Sequence, residues 1–141
     1  SEPAAIKDGM DIGYCCIDIK DLTLTYAGAK RPLYLIRDNA LIEIKGDNLS
    51  IGGCTPKESD FTDHFFKLRE GDTLYMFSDG FTDQFGGEKG KKFSTKRFKE
   101  TLLSIQSLQM QEQKEYLDQV IADWKKELEQ VDDICVLGFR I

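Results

Sequence analysis

The sequence predicts an α+β domain in which helices pack on sheet. Three observations carry that prediction. The first two thirds of the chain alternate short apolar runs with turn residues, as strands do. Two later stretches repeat apolar residues at helical spacing. A last apolar run then returns to strand character, which leaves helices to cover a sheet built mostly before them.

Met10 to Ile19 opens the strands. Ile12, Tyr14 and Cys16 fall on one face and Cys15, Ile17 and Ile19 on the other, and a strand apolar on both faces is expected to be buried on both. After the Lys20-Asp21 turn, Leu22 to Ala27 completes a hairpin. Pro32 interrupts, Leu33 to Ile36 follows, and Asp38-Asn39 turns the chain into Leu41 to Ile44. These four segments read as one antiparallel meander. Gly46 to Asp60, rich in Gly, Asp, Asn, Ser and Pro, is the longest loop, a length associated with function or mobility. Asp63 to Leu68 and Thr73 to Phe77 are the next strands, joined by a tight turn at Arg69-Glu70-Gly71-Asp72.

Ser94 or Thr95 caps a helix reaching about Ser107, with Phe98, Leu102 and Ile105 on one face. A longer helix spans about Gln111 to Glu129. Its stripe of Leu117, Val120, Ile121, Trp124 and Leu128 marks a core-facing side, which makes Trp124 a packing residue rather than a ligand contact. Ile134 to Ile141 closes the chain as a strand apolar on both faces.

Charge narrows the function classes. The 141-residue chain carries a net charge of −6, which argues against a nucleic-acid surface, since gripping phosphates takes clustered Lys and Arg. The one basic run, Lys89 to Lys92 with Lys96 and Arg97, is broken by Gly90 and reads as a solvated loop running into a helix. Four cysteines, Cys15, Cys16, Cys54 and Cys135, lack zinc or C-x-x-C spacing and are expected to be reduced, mostly buried thiols of a cytoplasmic protein. No apolar stretch approaches the ~18–20 residues that span a bilayer, and no signal peptide is present, so direct membrane contact is not expected. The start, Ser1-Glu2-Pro3-Ala4-Ala5, lacks an initiator Met, as in a chain cut from a longer protein.

Two segments could carry chemistry. In Gly71 to Gln84 an apolar strand runs straight into Ser78-Asp79-Gly80. A carboxylate at a strand end is held rigidly, and the Gly after it allows a sharp turn or a close approach. Hard cations such as Mg²⁺ and Mn²⁺ take such oxygen donors. Taken alone, Asp-Gly also reads as an ordinary turn. In Val131 to Leu137, Asp132 and Asp133 stand at the start of an apolar strand, where acids need solvent, a basic partner or a metal. The two sites converge only if their strands are neighbours in one sheet.

These segments resemble the protein phosphatase 2C type of metal-dependent serine/threonine phosphatases, in particular the bacterial SpoIIE-like branch. Gly71 to Gly80 resembles its G-D-x-L-x-x-x-[ST]-D-G block, Val131 to Ile134 its D-[DN]-[IVM] block, and Tyr26 to Leu35 its [YN]-A-G-x-x-x-P block, in the same order. The resemblance implies an antiparallel β-sandwich flanked by helices, with two Mn²⁺ or Mg²⁺ ions between its sheets that activate a water against phosphoserine or phosphothreonine. It implies metal ligation by Asp79 and Asp132, with Gly80 in the same motif and Asp133 in a weaker supporting role. The substrate in this family is often an anti-sigma-factor antagonist.

One block of the family is not matched. Its first half carries an Asp followed by Gly-His-Gly, whereas the only His here, His64, precedes Phe65. Asp8-Gly9-Met10-Asp11 lacks the His-Gly and reads as a linker, and His64 reads as a strand residue rather than a general acid. Residues 1–141 are then expected to be the C-terminal portion of a single phosphatase domain lacking its first half. The isolated chain should be inactive or nearly so, and homodimerise through exposed sheet surface. The competing expectations are a non-catalytic interaction module of a bacterial regulatory protein and a ligand-binding domain built on the Gly46 to Asp60 loop.

Overall fold

A computed structural model describes residues 8–52 and 61–141. The expected Gly46 to Asp60 loop therefore lies partly, and Cys54 wholly, outside the described residues. Among the described residues, nine strands and three helices form three layers. Sheet one has the order β1-β2-β5, from β1 (Ile12–Asp18), β2 (Thr23–Ala29) and β5 (His64–Lys67). Sheet two has the order β4-β3-β6-β9, from β3 (Leu33–Arg37), β4 (Ala40–Ile44), β6 (Thr73–Phe77) and β9 (Val136–Arg140). Every pairing in both sheets is antiparallel.

The four-strand meander is thus corrected to two hairpins lying in different sheets. The switch occurs at Ala29 to Pro32, where Lys30 takes φ 58° and the chain leaves sheet one for sheet two. Apolar alternation reports which residues share a face, not which sheet receives them. The turn at Arg69 to Asp72 makes the third crossing, from β5 back to sheet two at β6. It uses Gly71 at φ 89° and an Asp72 amide that donates to the Arg69 carbonyl at 3.0 Å.

Two apolar layers result. Leu24 and Tyr26 of sheet one face Leu33, Leu35 and Leu74 of sheet two, all at most 1% exposed, which makes the pair a sandwich. The other face of sheet two presents Tyr34, Ile36, Tyr75 and Phe77 to α2 (Thr95–Ser104) and α3 (Met110–Lys125). Phe98 fills that layer, its ring 4.8 Å from Phe77 and 5.0 Å from Phe81. β3 and β6 are therefore covered on both faces, as their unbroken apolar runs require.

β1 departs from expectation. Its Cys15 and Ile17 pack inward, but Tyr14 is 68% exposed and Cys16 is open, as is the cross-sheet Phe65 at 74%. The helical layer covers sheet two, and among the described residues nothing covers the outer face of sheet one. The buried-thiol expectation is corrected in the same way: Cys16 and Cys135 are exposed and Cys15 half-buried. Burial pushes the Cys15 thiol up to about 11, with Cys16 adding to it.

The helices end earlier than expected. Ser94 caps α2, its hydroxyl accepting the Arg97 amide at 3.3 Å, and Ser104 is the last residue. A reciprocal cap between Gln109 and Glu112 starts α3, which stops at Lys125 because Lys126 adopts φ 48°. Trp124 packs as expected, edge-on to Phe93 at 5.4 Å, while its indole N–H donates to the Gln84 carbonyl at 2.8 Å. Three short elements escaped the sequence reading: α1 (Gly80–Asp83) and the small hairpin of β7 (Phe85–Gly86) and β8 (Lys91–Lys92).

Candidate metal centre

β6 and β9 are neighbours in sheet two, paired from Thr73 opposite Arg140 to Phe77 opposite Val136. The antiparallel register sets the end of β6 beside the start of β9, so Asp79 and the Asp132-Asp133 pair meet at one end of the sheet. Ser78 ties the two ends together. Its amide donates to the Cys135 carbonyl at 3.0 Å, its hydroxyl donates to the Asp133 carbonyl at 2.8 Å, and the Cys135 amide donates back to that hydroxyl at 3.0 Å.

Gly80 permits this closeness. A Cβ there would lie 2.7 Å from the Asp133 carbonyl carbon and 3.2 Å from the Ile134 Cα. The Gly in Ser-Asp-Gly is explained by that approach of two backbones rather than by an unusual dihedral. Asp79 caps α1 only through its backbone, its carbonyl accepting the Asp83 amide at 2.9 Å. Its carboxylate makes no capping bond and remains open at the sheet end.

Electrostatics mark the same spot. Partial burial pushes the Asp79 carboxyl above its usual range, and the Asp132 carboxylate beside it, within hydrogen-bond reach, pushes the same way; Asp83 adds to this and Arg31 partly offsets it. Two carboxylates facing each other without a bridging cation repel, and a shared hard cation relieves that. The donors fit such an ion as a partial set. Among the described residues no cluster of three or more His, Cys, Asp or Glu side chains is assembled. Asp133 touches the site through its carbonyl rather than through a described side-chain contact.

A groove of about 380 Å³ runs from Asp79 between the sheets, lined by Asp11, Tyr26, Arg31 and Met76 among others. Asp11, read from sequence as linker, lines this groove and accepts the Ser50 hydroxyl at 2.5 Å. His64 sits on β5 opposite Tyr26, a strand residue as read. Arg31 escaped the sequence reading because Arg-Pro before a strand looks like an ordinary turn. Its guanidinium donates to the Phe77 carbonyl through Nε at 3.1 Å and Nη2 at 2.8 Å. The register explains why. Tyr34 pairs with Tyr75, so two residues further along Pro32 stands opposite Phe77. Pro32 has no N–H for the ladder, and the Arg31 side chain supplies the missing donor.

The family model described as Stage II sporulation protein E (SpoIIE) matches residues 7–141. The SiaA-PP2C domain of Pseudomonas aeruginosa superposes with a TM-score of 0.84 at 35% identity, over 93% of this chain and 51% of that one. The phosphatase domain of the cell fate determinant SpoIIE from Bacillus subtilis superposes with a TM-score of 0.64 at 20% identity, over 93% of this chain and 58% of that one, and shows the same fold. A second structure of that Bacillus domain comes from a Mn-presoaked sample. A search of curated proteins gives no match. The chain spans about half the length of the phosphatase domains it matches.

Proposed function

The chain belongs to the SpoIIE family of PP2C-type serine/threonine phosphatases, and from that premise we propose that it contributes Asp79 and Asp132 to a Mn²⁺- or Mg²⁺-dependent phosphatase site completed by residues outside the chain. The observation that carries this reading is the meeting of two carboxylates at the shared end of β6 and β9, with the Asp79 carboxylate unused by its own helix. A bound ion pair in such a site supplies an activated water and neutralises phosphoryl charge. The chain's own residues orient the donors: Ser78 clamps the two strand ends, Gly80 lets them touch, and Asp133 supports through its backbone.

The substrate on this reading is a phosphoserine or phosphothreonine of a signalling protein, of the anti-sigma-factor antagonist kind. Two acids fall short of a two-ion cage, so the 141-residue chain alone is inactive or nearly so. Mn²⁺ titration by calorimetry, comparing the wild type with Asp79→Asn, tests the assignment. Weak wild-type binding lost in the variant supports it, and equal binding by both removes Asp79 from the site. Robust phosphatase turnover by the isolated chain would sink the claim of inactivity.

A second reading has its own support. The bare outer face of sheet one, with Tyr14 at 68% and Phe65 at 74% exposure, is the kind of surface that pairs with another protein surface. Homodimerisation through it is compatible with either function, and a clean monomer by light scattering at high concentration counts against it.

A further inference from the structure

The groove beside Asp79 carries a charge problem that the metal ligands do not solve. Asp11 and Asp79 line it and Asp132 stands at its end, so an approaching phosphoryl group meets acids. Among the described residues lining the groove, Arg31 is the one cation. Only Nε and Nη2 of its guanidinium are engaged, both by the Phe77 carbonyl; Nη1 makes no hydrogen bond among the described residues. The group also stacks over the Phe77 ring at 5.3 Å, which fixes its plane.

The backbone beneath it is equally fixed. The Tyr26 hydroxyl donates to the Arg31 carbonyl at 2.6 Å. A Cβ on Gly46 would lie 2.6 Å from that carbonyl, and one on Gly28 would collide with it. Gly28 on β2 and Gly46 after β4 therefore close tightly around the Arg31 carbonyl and hold that backbone in place beside the groove.

We propose that Arg31 contacts the phosphoryl oxygens of the substrate, using the free edge of its guanidinium to seat the phosphate at the groove that Asp79 lines. The proposal rests on the phosphatase reading above. A planar guanidinium held by one carbonyl still presents N–H donors in the geometry that phosphate oxygens accept, which a lysine ammonium does not reproduce.

Two measurements test it. In the first, the ¹⁵N-labelled 141-residue chain is titrated with inorganic phosphate in the presence of Mg²⁺, and arginine Nε–H signals are followed. The Arg31 signal should move saturably. Those of Arg37 and Arg140, engaged with Asp72 and with loop carbonyls, should stay put. An unmoved Arg31, or all arginines moving alike, overturns the proposal.

In the second, the parent phosphatase carrying Arg31→Lys is assayed on a phosphoserine peptide at saturating Mn²⁺. KM should rise roughly tenfold or more, with kcat within about threefold and Mn²⁺ affinity unchanged. A fall in kcat and Mn²⁺ affinity at constant KM means that Arg31 only holds the end of β6, and overturns the contact. A parent that hydrolyses no phosphopeptide while Arg31 still answers phosphate removes the phosphatase reading and supports the anion contact.

Discussion

Replacing Gly80 by Ala tests the coupling between fold and site. The added methyl would lie 2.7 Å from the Asp133 carbonyl carbon. Non-bonded carbons prefer about 3.5–4.0 Å, so the backbone at Asp133 and Ile134 must retreat by roughly 1 Å. That segment is held by the Ser78 hydroxyl at 2.8 Å and 3.0 Å, and such a retreat takes both bonds out of range. Losing two hydrogen bonds costs about 1 kcal/mol each. Overpacking adds about 1–3 kcal/mol, for a total of about 3–5 kcal/mol. The assay is urea unfolding at fixed slope, with Mn²⁺ titration alongside. Gly90→Ala is the control: it meets no atom within 4 Å and carries only the strain of φ 58°, about 1–2 kcal/mol. Mn²⁺ binding should weaken in Gly80→Ala and stay intact in Gly90→Ala. Wild-type stability in Gly80→Ala would refute the packing argument, and lost stability with unchanged Mn²⁺ binding would refute the link to the site.

Other perturbations reach other parts of the molecule. Asp72 is 1% exposed; burial pushes its carboxyl up, but the Arg37 guanidinium, bonded at 2.9 Å and 2.7 Å, and the Arg69 amide outweigh that and leave it below the usual range. Because the folded carboxyl is the stronger acid, its stabilisation is complete above the ordinary carboxylate pKa and fades as pH falls through the lowered value. Asp72→Asn should therefore cost about 2–3 kcal/mol at pH 7, and the gap in urea midpoint should begin to close only below about pH 4. Asp79 has the opposite sign: its carboxyl is raised, so stability falls as pH climbs above the ordinary carboxylate pKa. Asp79→Asn should raise the melting temperature of the metal-free chain at pH 7 while abolishing its Mn²⁺ response, and a lowered melting temperature would contradict the repulsion. Phe98→Ala should cost about 3–5 kcal/mol in urea unfolding, since the ring is fully buried against Phe77 and Phe81.

Much of this was legible because local chemistry and tertiary position agreed. The strand read at Leu33 to Ile36 formed as β3. Ser94 capped its helix, and Trp124 packed on the stripe that named it. The assignment of hairpins to sheets was not legible, since Lys30 in a left-handed conformation carries no sequence mark comparable to a glycine. Nor was the bare side of β1, because periodicity reports apolar character and not whether a layer arrives to cover it. At the site, Asp79 and Asp132 stood out as acids at strand ends. Arg31 did not, because its position follows from a missing N–H on Pro32 across a register that only the fold reveals.

The strand order also sets when the acid pair exists during synthesis. The β3–β4 hairpin forms from adjacent residues, and β6 joins it once the chain has returned from β5. β9 reaches β6 only after α2 and α3 have been made. A nascent chain that has already built most of sheet two still holds Asp79 without Asp132. The chain therefore presents one carboxylate at a time, and the acid pair forms when β9 docks on β6. Premature termination anywhere before β9 would leave a sheet with most of its strands and none of its paired charge.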